Sequence, residues 1–258
     1  IAAILFFLCF AGCKERIHEN EETKTEKIRV VDGVKAVLKN KYWHMLMVIS
    51  ICINIFFQAI STVNTYYSKA VLHNSSMISI LNTAYIVPAI ATFFFVHLVV
   101  KKYGKGKTTM FGWMIICVSY VILLPFTENT TVLIITAAMR GVGYCFLLAV
   151  SSAMVSDAVE YGEWKTGLRN DGFQYAFVSL GNKIGMAIGT AMLAALLGKY
   201  GYVANQTQND TVISIMKHAF TTIPGVLWIV TAVVLFFYRL NKKRYNEIVE
   251  ELKNGKRG

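Results

Sequence analysis

A chain of 258 residues that is 55% hydrophobic, only 16% charged and carries three prolines has the composition of a lipid-embedded protein, which excludes an ordinary soluble globular domain. The formal net charge of +11 would suit a nucleic-acid partner. The basic residues, however, are divided among separate segments between apolar stretches instead of forming one binding face, so no nucleic-acid partner is expected.

Residues 1–12 are apolar throughout, yet too few to cross ~30 Å of hydrocarbon at about 1.5 Å of helical rise per residue. No basic segment precedes Ile1, as a signal peptide would require, so they are expected to be the end of a truncated transmembrane helix. Residues 13–42 are polar and charged and are expected to link two bundles in the cytoplasm. Within them Val30, Val34, Val37 and Leu38 recur at helical spacing, predicting a short helix either at the membrane surface or in water.

Windows of roughly 19 residues then give six long apolar stretches, 43–67, 77–100, 109–126, 131–156, 173–197 and 218–238. Residues 43–240 are therefore expected to be a six-helix transmembrane bundle, followed by a basic tail over 241–258. In the tail, Tyr245, Ile248, Val249 and Leu252 repeat the helical spacing of the linker, again for a helix on the membrane or in water.

Alternate connections collect eight Lys and Arg over 13–42, four over 101–108, two over 157–170 and seven over 239–258. The intervening connections hold three, Lys69, Lys199 and Lys217. That asymmetry places the basic set, the C-terminus included, in the cytoplasm. The Cys at 9, 13, 52, 117 and 145 show no paired spacing and read as reduced, small core residues. Asn-x-Ser/Thr triplets at Asn74, Asn129, Asn205 and Asn209 fall in the external set, either as glycan acceptors of a eukaryotic secretory pathway or as short polar loops.

The first long stretch carries Ser50, Asn54, Gln58, Ser61, Thr65 and Ser68 at steps of three and four, all on one helix face. An unpaired amide in hydrocarbon costs several kcal/mol, so this stripe is expected to face protein or water and to line a hydrated pathway. Pro88, near Asn82 and Tyr85, marks an expected kink in the second stretch. In the fifth, Gly181, Gly185 and Gly189 make a close-packing face. Lys183 projects from the other side, beside Ala176, Ser179, Ala187, Thr190 and Ala194. A charge at that depth costs at least ~2.5 kcal/mol and signals function. Arg140 in the fourth stretch, with Tyr144 one turn on, belongs either to the same pathway or to a headgroup reached by snorkelling. None of the fifteen Asp and Glu lies within the six stretches. Counter-charges therefore come either from helices of a missing N-terminal half or from an anionic substrate.

Between the fourth and fifth stretches runs a loop of mixed charge from Asp157 to Gly172. No His or Cys accompanies its carboxylates, so neither a metal site nor a catalytic centre is expected, and a salt-bridged gate or a plain solvated loop remain. The sequence DAVEYGEWKTGLR followed by GFQYAFVSLGNKIG closely resembles the glycoside-pentoside-hexuronide:cation symporter family of the major facilitator fold, to which melibiose carriers belong. Asn64-Thr65-Tyr66-Tyr67 and the turn Lys101-Lys102-Tyr103-Gly104-Lys105-Gly106-Lys107 are similar to the same family's second half.

The resemblance implies an all-α membrane protein, with the six stretches as helices 7 to 12 of a major facilitator-type carrier and residues 1–12 as the end of helix 6. It implies sugar or glycoside symport with Na⁺ or H⁺ by alternating access, without a cofactor or covalent chemistry, in a bacterial inner membrane. Lys183 would occupy the family's membrane-embedded lysine position near the cation and sugar sites, and Ser179 its small hydroxyl. Asp157, Glu160, Glu163 and Arg169 match the charged inner loop that pairs with basic residues of the other half. The substrate and cation pathway is thus expected at Lys183, Ser179, Asn54, Gln58, Ser61, Arg140 and Tyr144. The alternative is a facilitator or exporter of an anionic solute, held directly by Lys183 and Arg140.

Overall fold

The computed structural model describes residues 2–12, 29–203, 206, 208–238, 240 and 242–255. Among them the chain is helical: α1 (Ala2–Gly12), α2 (Val30–Leu38), α3 (Lys41–Ala70), α4 (Ser76–Tyr103), α5 (Lys105–Leu123), α6 (Thr130–Thr166), α7 (Asp171–Lys199), α8 (Asp210–Phe237) and α9 (Lys242–Lys253). The helices α3 to α8 are long and apolar enough to cross a membrane, in agreement with the six apolar stretches. In α1, Leu5, Phe6, Phe7 and Phe10 are all exposed. Most of the expected linker, and Cys13 and Asn205 with it, lies outside the described residues.

Burial of apolar surface does little to hold helices together when the solvent is lipid, so close backbone approach has to do it. Two packing seams follow from this. On α7, a side chain added at Gly185 would sit 2.6 Å from the Ile51 carbonyl, and one at Gly189 would sit 2.6 Å from that of Ile55, so the glycine face is what lets α7 lie against α3. On α6, Gly141 abuts the Tyr85 carbonyl of α4 and Gly143 abuts the Gly112 carbonyl of α5. α8 closes the bundle through aromatic rings: Trp228 meets Trp113 at 3.8 Å and Phe56 at 4.6 Å between centroids, and Tyr67 stacks on Phe220 at 4.8 Å.

The helix ends have local causes. Gly104 alone separates α4 from α5, and its positive φ of 81° is a conformation other residues rarely adopt. Asn129 Oδ1 accepts from Thr131 N and Val132 N at the start of α6, and Asn209 Oδ1 accepts from Val212 N at the start of α8. Asn74 Oδ1 accepts from Ser76 N before α4. Three of the four Asn-x-Ser/Thr triplets are therefore helix starts, a structural reason for that pattern.

Two boundaries differ from the expectation. α6 does not stop near Ser156 but continues to Thr166, where Gly167 at φ 71° ends it, so the first part of the charged loop is helix. Hydropathy windows end where charge begins, whereas backbone hydrogen bonding does not. α8 likewise begins at Asp210, eight residues before the apolar stretch at 218. α4 runs unbroken through Pro88.

Neither amphipathic segment lies free. α2 buries Gly33, Ala36 and Val37 against the bundle while Val30 and Leu38 are exposed, a different face from the one its apolar spacing indicates. α9 docks on the extension of α6: Ile248 is buried, Trp164 Nε1 donates to Glu251 Oε2 at 2.6 Å, and the Arg244 guanidinium lies 5.2 Å from the Trp164 ring.

Candidate functional site

A cavity of about 390 Å³ lies between α3, α6 and α7, with Thr109 of α5 and Leu235 of α8 also in its wall. Its polar lining is Ser50 and Asn54 from α3, Thr109 from α5, Tyr144, Ser151 and Ser152 from α6, and Tyr175, Ser179 and Asn182 from α7. Each contribution follows from helix periodicity. Residues 175, 178, 179 and 182 share one side of α7, and turning that helix so that its glycines meet α3 leaves this side toward the cavity.

Asn182 organises the wall. Its Oδ1 accepts from Ser50 Oγ in a short hydrogen bond and from Asn54 Nδ2 at 2.9 Å, and Asn54 Nδ2 also donates to the Ser50 carbonyl at 2.9 Å. With the oxygen so occupied, the Asn182 amide NH₂ remains a donor for a ligand, alongside the Ser and Tyr hydroxyls. Such a mix of hydroxyls and amides beside Leu147, Leu148 and Ile53 suits a molecule with hydroxyl groups and an apolar face. Asn182 is absent from the residues singled out in the sequence. Its signal is its place three residues after Ser179 on one side of α7, a weak one because an amide in a membrane helix costs less than a charge such as that of Lys183 beside it.

The sequence-selected pathway residues do not form one site. Asn54, Ser179 and Tyr144 line the large cavity. Lys183, one residue past Asn182, is exposed on the outer face of α7 away from the glycines, and among the described residues it has no ion pair. Gln58 faces α7 near Gly189, where its Cβ lies 3.1 Å from an added side chain. Ser61 and Arg140 line a second cavity of about 60 Å³ between α3, α4 and α6. Phe57, Tyr85 and Tyr144 stand between the two cavities, Phe57 stacked on Tyr144 at 5.7 Å and Tyr85 at 5.9 Å from Tyr144. At the far end of the α3 stripe, Ser68 is fully buried, so the stripe passes from cavity wall into packed core. Arg140 does not reach outward as a snorkelling residue would. It is buried, donating through Nε to the Thr136 carbonyl and through Nη1 to Tyr120 Oη.

At the end of the bundle that carries the basic turn, the charged residues find partners within this chain. Lys105 Nζ contacts Asp157 Oδ1 at 2.7 Å and the Ala153 carbonyl at 3.3 Å. Glu160 accepts from the Tyr245 hydroxyl of α9, a bond that, together with burial and the charges of Glu160 and Asp157, pushes the Tyr245 phenol above its usual range. Arg169 bridges Glu163 at 3.0 Å and Asp171 at 3.2 Å. Burial pulls the Arg169 guanidinium down, but the Asp171 and Glu163 carboxylates outweigh it and the net shift is upward. Beside them runs an amide chain the sequence did not announce: Asn40 Nδ2 donates to the Ala158 carbonyl at 2.6 Å and Gln174 Oε1 at 3.4 Å, Gln174 Nε2 to Asn170 Oδ1 at 3.0 Å, and Asn170 Nδ2 to the Gly33 carbonyl at 3.1 Å. These buried groups fasten α2, α3, α6 and α7 together.

Among the described residues no group of three or more His, Cys, Asp or Glu could hold a metal ion. Residues 1–242 match the family model described as MFS/sugar transport protein. The chain is 30% identical over 245 residues to an isoprimeverose transporter of Lactiplantibacillus pentosus, covering 94% of this chain and 50% of that protein. It is 28% identical over 256 residues to a glucuronide carrier protein homolog of Escherichia coli K12, covering 98% of this chain and 55% of that protein. The chain thus spans about half the length of the curated relatives it matches.

Proposed function

Since this chain belongs to the MFS/sugar transport protein family, a family of transporters rather than enzymes, we propose that its residues 43–240 form one of the two six-helix bundles of a secondary active carrier for a sugar or glycoside. The cavity walled by Asn54, Ser179 and Asn182 is the observation that carries this reading. It has the volume of a small-molecule site, lies between helices long and apolar enough to cross the membrane, and offers hydroxyl and amide hydrogen-bonding groups. The relatives named for isoprimeverose and glucuronide support a glycoside or sugar acid as cargo.

In this reading the solute enters the large cavity, and the partner bundle closes over the face that bears Lys183. Inward co-transport is driven by Na⁺ or H⁺, with Lys183 near the cation and a carboxylate supplied from outside the six spans. The charged cluster at Asp157, Glu160, Glu163 and Arg169 exchanges its present partners within this chain for basic residues of the partner bundle as the bundles rock, closing the basic end. The abundance of Lys and Arg at that end supports a cytoplasmic location for it and for the C-terminus.

Uptake of labelled isoprimeverose and of a labelled glucuronide into proteoliposomes that hold the complete two-bundle carrier tests this, with and without imposed Na⁺ or H⁺ gradients. Accumulation above the external concentration only with a gradient is the expected result. Uptake that merely equilibrates favours the second reading, a facilitator or exporter of an anionic solute, for which the observation is that Lys183 and Arg140 lie in apolar stretches, 173–197 and 131–156, that hold no carboxylate. No movement of either solute rejects both.

A further inference from the structure

Arg140 is 3% exposed, and among the described residues it pairs with no carboxylate. Its guanidinium lies 5.3 Å from the ring centroids of both Tyr120 and Phe220, which cover it. Five N–H donors radiate from that group. Hydrogen bonds from Nε to the Thr136 carbonyl and from Nη1 to Tyr120 Oη use two, and among the described residues Nη2 has no acceptor. The cavity of about 60 Å³ that Arg140 lines holds further unanswered groups. Tyr85 Oη is buried without a hydrogen-bond partner, and so is Oδ1 of Asn64, a residue only 7% exposed.

Taken together these groups describe a ligand. Arg140 Nη2 and the Tyr85 hydroxyl are donors at one cavity that find no acceptor among the described residues, and no bond joins the two groups although a tyrosine oxygen can accept. A buried guanidinium further requires that the acceptor be negatively charged. The Asn64 amide can present its NH₂ to such a ligand, or keep its oxygen toward a water or hydroxyl that accompanies it. The volume admits a compact ion with little hydration. Ser61 and Asn82, both exposed, mark the open side.

We propose that the cavity at Arg140, Asn64 and Tyr85 binds a compact anion: chloride, or the carboxylate or sulfonate end of an acidic solute. It is separate from the larger cavity at Asn182, the Phe57, Tyr85 and Tyr144 rings lying between them, and it does not rest on the transport reading. The anion stands in for the missing acid partner and fixes the α3, α4 and α6 contact around it.

The purified chain in detergent is titrated with sodium chloride, with sodium glucuronate and with neutral methyl glucoside, and thermal unfolding is followed in wild type, Arg140→Gln and Tyr85→Phe. A saturable rise in Tm is expected with at least one of the two salts. Its midpoint concentration should rise at least tenfold in Arg140→Gln and severalfold in Tyr85→Phe, while any effect of methyl glucoside is indifferent to both substitutions. Saturation by chloride identifies a free-ion site; saturation by glucuronate alone identifies a subsite for the acid end of a solute. Absence of a saturable effect in wild type, or equal midpoints in wild type and the variants, overturns the proposal. Should Arg140→Gln fail to fold, Tyr85→Phe and an anomalous bromide peak beside Arg140 in wild-type crystals decide, a peak elsewhere only being fatal. Loss of the anion effect with intact sugar uptake removes this site alone, and the reverse result removes the transport reading alone.

Discussion

Lys105 Nζ lies 2.7 Å from Asp157 Oδ1, so the first residue of α5 is tied to α6 within a single bundle. The carboxylate is 7% exposed and the lysine 36% exposed. The resemblance implies a partner for Asp157 in the other half of a carrier; within this chain its partner is Lys105.

Lys105→Met should therefore destabilise the bundle by about 2 kcal/mol, below the ~3–5 kcal/mol of a fully buried pair because the lysine is partly solvated. Asp157→Asn in the same chain should recover part of that loss. Thermal unfolding of the two single variants and the double variant measures the coupling, and strictly additive losses would show that the contact contributes nothing.

Gly141→Ala should separate α4 from α6. The added methyl would sit 2.0 Å from the Tyr85 carbonyl oxygen, which is backbone and cannot swing aside. Overpacking of this kind costs about 1–3 kcal/mol or more. Gly225→Ala on α8, with nothing within 4 Å of the new methyl, is the matched control and should be neutral or slightly stabilising. Equal Tm values for the two variants would contradict the seam.

Asn40→Ala removes two functions at once, since Oδ1 caps α3 at Trp43 N and Nδ2 serves the Ala158 carbonyl. A lost cap and a newly unsatisfied buried carbonyl together are worth roughly 2–3 kcal/mol. Hydrogen exchange should accelerate first in α2 and the start of α3, and protection unchanged there would argue that the amide chain does not hold these helices.

Lys183→Val should abolish gradient-driven accumulation while leaving the fold intact, because the side chain is exposed on α7 and packs against nothing whose loss would loosen the bundle. Uptake by proteoliposomes that hold the complete carrier, with a Na⁺ or H⁺ gradient, is the measurement. Normal accumulation by the variant would remove Lys183 from the coupling site.

Arg169→Ala should slow transport severalfold and leave solute binding nearly unchanged, since Glu163 and Asp171 lose their shared partner while no side chain that lines the cavity is removed. The guanidinium pKa is raised, so the stabilising pairs are fully present at neutrality and would be lost only as pH rises through that high value. From this residue the wild-type rate should show no pH dependence between neutrality and about pH 10. A variant with the wild-type rate would exclude Arg169 from gating.

The sequence by itself determined what depends on a single helix. Six spans were legible because ~20 apolar residues in succession have few alternatives to crossing lipid. The packing face of Gly181, Gly185 and Gly189 and the opposite placement of Lys183 followed from 3.6 residues per turn. What each face meets was not legible. The stripe from Ser50 to Ser68 is one face on paper, yet it borders a cavity at Asn54, α7 at Gln58 and packed core at Ser68. Arg140 and Lys183 looked like members of one pathway, and the Phe57, Tyr85 and Tyr144 rings lie between the cavity of the first and that beside the second. Periodicity is a local property that tells which residues share a side. The contacts that fix a partner, such as Asn54 with Asn182 across 128 positions and Asn40 with Gln174 across 134, arise only when separate helices settle against each other, and that settling is governed by backbone clearance at the glycines.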